Sequence, residues 1–96
     1  MTPRPVKHRC IRFYPDADVF SPLPKWKASG VIELYADELE VLRLVDYRGL
    51  TQEEASAEMG VSRGTVWRLL DSGRRKIVAM VVEHKELILR SSTQPV

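Results

Sequence analysis

Four residues of this chain have types and spacing suited to reading a base-pair edge: Arg63, Gly64, Trp67 and Arg68. At helical spacing they share one face, opposite Val66, Leu69 and Leu70. An arginine guanidinium can donate two hydrogen bonds to a guanine edge, worth about 1–3 kcal/mol of discrimination. Trp67 is expected to be exposed on that face and to reach an apolar group such as a thymine methyl, unless it packs against the N-terminal strand region. Gly64 would let the backbone approach closely. Gln52, Ser62 and Thr65 are placed to bond phosphate oxygens, which sets register without reading sequence. Arg74 and Arg75, with Lys76, lie further along and would either reach the backbone or favour the negative end of the helix. Arg4, Lys7 and Arg9 form a basic arm that either enters the minor groove or stays a disordered tail.

Other chemistry finds little support. No carboxylate pair, glycine-rich phosphate loop or serine–histidine–acid set stands out, so no enzymatic activity and no cofactor is expected. His8, Cys10 and His84 are too few for a closed metal site and match no zinc spacing, so no metal is expected. Glu38, Glu40, Glu53 and Glu54 are expected as first-turn acids at helix N-termini.

These residues need elements to hold them. Thr51 and Glu54 have capping-box spacing, which starts a helix at Gln52. Ala55 and Met59 give it a buried side, and Ser56 is small enough for a close helix approach. Gly60 suits a left-handed turn. Val61 plugs the corner, and Ser62 caps a second helix that runs to about Val82 with Gly73 inside it. A preceding helix is expected from a cap at Asp37, with Glu40 in its capping box, to about Arg48-Gly49. Together these make a trihelical helix-turn-helix core over residues 37–83. The expected class is mainly α, with a small N-terminal β element. That accessory, residues 10–36, has strands at 10–14 and 31–35 flanking a prolyl loop, and their mutual pairing is the first expectation. Leu87-Ile88-Leu89 suits a short C-terminal strand. Residues 1–9 are the arm and 90–96 a frayed tail.

Ninety-six residues suit one domain. No apolar run is long enough for a membrane-spanning helix, and the basic, prolyl start lacks the apolar centre of a signal peptide. A lone Cys10 suits a reducing cytoplasm. The net charge of +2 hides a segregation: residues 1–32 carry +4, residues 33–58 carry −6 and residues 59–96 carry +4. The acidic middle is expected to be a solvated face turned away from DNA.

The run from Asp37 to Ala55, followed by Met59-Gly60-Val61-Ser62-Arg63, resembles a family of small prokaryotic proteins of unassigned function. So do Pro3-Arg4-Pro5 and the prolyl loop before residue 31. The resemblance implies DNA binding through a helix-turn-helix like that of sigma-factor region four. The chain departs from the family pattern at Ser56, where alanine is usual, and at Gly64, where proline is usual. His8 and Cys10 stand where family members often carry cysteine. The expected partner is double-stranded DNA, and the expected activity is sequence-specific binding in transcription regulation. A homodimer is expected from spare apolar surface at residues 77–89 and the strands. The alternative is a protein-interaction module contacting transcription machinery through the acidic first helix.

Overall fold

The computed structural model describes residues 9–94. Among them are three strands and three helices: β1 (Val19–Phe20), β2 (Val31–Leu34), α1 (Ala36–Leu42), α2 (Gln52–Met59), α3 (Arg63–Glu83) and β3 (Glu86–Leu89). A π-helical turn, Arg43–Tyr47, continues α1. The class is therefore mixed rather than mainly α.

The helices begin and end largely where the capping residues dictate. Thr51 Oγ1 accepts from the Glu54 amide at 3.0 Å, and the Glu54 carboxylate accepts from the Thr51 amide at 2.9 Å. Gly60 closes α2 in the left-handed region at φ 67°, a conformation that costs glycine little. Ser62 Oγ accepts from the Thr65 amide at 3.1 Å and starts α3. Val41, Leu44, Ala55, Met59, Val66, Leu69 and Leu70 make the core between the helices, with Leu50 and Val61 packed on its edge. Ala55 is the small residue inside that core. Ser56, expected in that role, is half-buried, and its hydroxyl donates to the Glu53 carbonyl.

Helix α1 starts earlier than its acidic residues suggest. Tyr35, not Asp37, is the N-cap residue. The chain turns straight out of β2, and Glu38 Oε1 accepts from the Tyr35 amide at 2.9 Å. The Ala36 amide donates to the Ser92 carbonyl at 2.9 Å, so the C-terminal segment supplies what a cap would have supplied. Glu40 is not a capping-box partner either: it holds the Arg43 guanidinium at 2.9 Å.

The β element departs most from expectation. Its strand order is β1-β3-β2, with the C-terminal strand central. β2 and β3 are parallel, Val31 opposite Glu86 and Leu34 opposite Leu89. β1 is antiparallel to β3, Phe20 opposite Leu87. Residues 10–14 form no strand and do not pair with 31–35. Their backbone donors go to the helices instead: Cys10 to the Met59 carbonyl at 3.0 Å and Arg12 to the Glu40 carboxylate at 3.1 Å. A parallel pair needs a long crossover, which the three helices provide. Leu34 and Leu87 are buried where the sheet meets the rest of the molecule.

Two further expectations are corrected. Of the expected frayed tail, residues 90–94 do not fray, and 95–96 lie outside the described residues. The Arg90 amide donates to the Leu34 carbonyl at 2.8 Å, and the Gln94 amide donates to Asp37 Oδ1 at 2.9 Å. The acidic middle is not one solvated face either. Asp37, Glu38 and Glu40 are buried at 0%, 0% and 1% exposure. Buried carboxylates need partners, and each has one: Arg9 at 2.5 Å, Lys76 at 2.7 Å and Arg43 at 2.9 Å respectively. Among the described residues no helix is long and apolar enough to cross a membrane.

Candidate functional site

The first turns of α3 present an exposed face on a fixed base. Val66, Leu69, Leu70 and Gly73 are buried, which turns Arg63, Gly64, Trp67 and Arg68 outward. Trp67 is 60% exposed, so most of its side chain lies open as expected. A Cβ built on Gly64 would meet only Ser62 Oγ, at 3.9 Å. The glycine leaves open space at the surface. Arg63 and Arg68 carry no ion pair among the described residues. Arg68 donates to the Gln94 side-chain carbonyl, a contact no local sequence pattern announces.

The entrance to α3 is held by side-chain hydrogen bonds. Ser62 and Thr65 hydroxyls lie 2.9 Å apart, and Ser62 also caps the helix. Both hydroxyls thus sit at the helix N-terminus, where the exposed amides and the helix dipole favour an anion. Gln52 is the first residue of α2 and is half-buried. Nearby, the Glu54 carboxyl is held below the usual carboxylate range by the Thr51 amide and hydroxyl.

The remaining basic candidates are engaged inside the molecule. Arg74 forms a two-pronged pair with Asp46, at 2.7 and 3.0 Å. That pairing holds the Asp46 carboxyl below its ordinary value and raises the Arg74 guanidinium above its own. Arg75 lies 3.4 Å from Asp71, four residues before it. Lys76 bonds the Glu33 carbonyl and Glu38, both at 2.7 Å, and lies 4.8 Å from the Tyr35 ring centre. Arg9, expected in the arm, has a side chain only 15% exposed and locks onto Asp37. Arg4, Lys7 and His8 lie outside the described residues. Cys10 is at the end of α2 and His84 at the far end of α3, so the structure does not bring them together. Among the described residues no cluster of three potential metal ligands forms.

A polar chain links the exposed face to the buried carboxylates. Gln94 receives Arg68 and donates from Nε2 to Glu38 at 3.0 Å and to Ser72 Oγ at 3.3 Å. Ser72 also donates to Glu38. Glu38 therefore organises the Tyr35 amide, Lys76, Ser72 and Gln94 around one side chain, which restrains Arg68 from beneath.

A family model described as "Protein of unknown function DUF134" matches residues 1–94. The chain is 54% identical over 86 residues to a UPF0251 protein of Pyrococcus furiosus, covering 86% of this chain and 79% of that protein. It is 52% identical over 83 residues to a UPF0251 protein of Thermococcus kodakarensis, covering 84% and 74%. A UPF0251 protein of Clostridium beijerinckii is 41% identical over 85 residues, which cover 88% of this chain but 57% of the longer clostridial protein. No solved structure gives a significant match.

Proposed function

The chain belongs to this family of unknown function, and we propose that it binds double-stranded DNA sequence-specifically through the first turns of α3, acting in transcription regulation. α2, the Gly60 turn and α3 are read as a helix-turn-helix, with α3 entering the major groove. The observation that carries this reading is the outward face of Arg63, Gly64, Trp67 and Arg68 on a helix whose opposite side is fully packed. Two arginines without ion pairs among the described residues, an exposed tryptophan and a glycine suit base edges, while Ser62 and Thr65 suit a phosphate at the helix N-terminus.

A protein-interaction module working through an acidic α1 has less support, because Asp37, Glu38 and Glu40 are buried and partnered. Selection from random double-stranded DNA tests the proposal. Enrichment of a short motif is expected, with affinity falling steeply as salt rises. Absence of any enriched sequence, together with salt-insensitive binding, overturns it.

A further inference from the structure

The exposed stripe of α3 changes character along its length. Gly64, Trp67, Asp71, Arg74, Val78 and Val81 follow one another at spacings of three and four, so they share one side of the helix. The first part of that stripe mixes Gly64 and Trp67 with one acid, Asp71, and one base, Arg74. Its last two turns are apolar: Val78, Val81 and the adjacent Val82 are 58%, 66% and 69% exposed.

This apolar ridge has a depression on each side. On one side, α1 and the π-helical turn leave a groove of about 850 Å³ walled by Phe13, Leu39, Leu42, Tyr47 and Ile77, with Val78 at its edge. On the other, a smaller hollow of about 240 Å³ lies between Phe20, Pro22 and Met80, with Val81 at its edge. Phe13 and Tyr47 are themselves 45% and 86% exposed. The open parts of these two aromatics and three valines come to roughly 500 Å², at the upper end of what a monomer leaves bare. The wall residues not yet counted, Leu39, Leu42 and Ile77, bring the area nearer to the roughly 800 Å² per partner of a standard interface.

We propose that this ridge-and-groove face is where a second copy of the chain docks, as a two-fold dimer in which the last turns of the two α3 helices cross. A two-fold interface must be complementary to itself. This face meets that condition in shape, because a ridge and the groove to receive it lie side by side on one protomer. It meets it in charge as well. Its rim carries internally neutralised pairs, Arg74 with Asp46 at 2.7 Å and Lys85 with Glu83 at 3.7 Å. Two identical rims meet without like-charge excess, whereas a strongly charged partner would find nothing to steer it. The interface is thus assigned to α3 and α1, with Phe20 of the edge strand β1 at its margin. It does not depend on DNA binding.

The test is sedimentation equilibrium without DNA, over concentrations from nanomolar to submillimolar. Wild type and Trp67→Ala are expected as dimers. Val78→Glu with Val81→Glu is expected as a monomer with an unchanged circular dichroism spectrum. Should that double variant fail to fold, Val82→Glu carries the test, with dimer affinity expected to fall at least tenfold. A wild type that stays monomeric throughout overturns the proposal and leaves the groove to a different partner. A dimer that survives the folded glutamate variants, or one that Trp67→Ala dissociates equally, overturns it too.

Discussion

Gly73 lies directly against Leu42: a Cβ built on the glycine would come within 3.0 Å of Leu42 Cδ1 and 3.4 Å of the Glu38 carbonyl oxygen. Helices α1 and α3 approach as closely as they do because nothing projects there. Gly73→Ala gains about 1 kcal/mol of helix propensity, but Leu42 must shift towards the neighbouring groove. The two effects are expected to leave unfolding free energy within about 1 kcal/mol of wild type. Gly73→Val has no such offset and is expected to cost about 2–3 kcal/mol by overpacking. Urea unfolding of both variants checks this, and equal tolerance of alanine and valine would rule out a close approach.

The Glu38 carboxylate is fully buried with Lys76 at 2.7 Å. Glu38→Ala removes the carboxylate from that ammonium and from the Gln94 amide, leaving them only the Glu33 carbonyl and Ser72 Oγ, and about 3 kcal/mol of destabilisation is expected. Replacing both partners, as Glu38→Leu with Lys76→Met, should recover at least half of the loss. A double variant no more stable than Glu38→Ala would place the cost elsewhere, in the Tyr35 and Ser72 hydrogen bonds.

Asp46 contributes stability with a definite pH sense. Its carboxyl is held below the ordinary value by the hydrogen bonds from Arg74. The unfolded chain therefore takes up the proton first. The contribution is full above a pH of about 4 and fades as pH falls through the lowered folded value. The side chains are 51% and 40% exposed, so solvent screening limits the pair to about 0.5 kcal/mol. Chemical unfolding of Asp46→Asn from about pH 2.5 to pH 7 should show a deficit that grows with pH and shrinks with added salt. A deficit equal at both ends would exclude the ion pair as its source.

Mutating arginines along α3 should separate engaged from available charge. Arg63→Ala is expected to weaken binding to a selected DNA site by about tenfold or more, with relaxed preference at one position. Arg74→Ala, which breaks an intramolecular pair, is expected to change affinity less than threefold. If Arg74→Ala proves the more damaging of the two in a fluorescence-anisotropy titration, the contact surface lies further along the helix than proposed.

What the sequence made legible is what short-range physics determines. Thr51, Glu54, Gly60 and Ser62 set the bounds of α2 and the start of α3, because a cap bonds an amide three residues away. The orientation of Trp67 followed from the helical period. Long-range partners were not legible. Arg9 with Asp37, Arg74 with Asp46 and Lys76 with Glu38 join residues distant in sequence, so the bases read as available to DNA and the acids as solvated or first-turn charges. Gln94 gave no signal at all, being polar, near the end of the chain and outside any period. The strand pairing was missed for the same reason. Residues 10–14 alternate like a strand, but their amides were taken by Met59 and Glu40.

The pairing of Val31 with Glu86 ties the start of the helical region to its end. Zipping β2 onto β3 closes one long loop, and the entropy of that closure is compensated only once the helices have packed. The sheet is therefore expected to form late in folding, behind helices built from local contacts. A chain cut at Glu83 would lose more than a strand: Leu34, Ala36 and Asp37 would lose Arg90, Ser92 and Gln94 together. The shortest fragment expected to fold as one cooperative unit thus extends to Gln94, well past the helix that carries the exposed arginines.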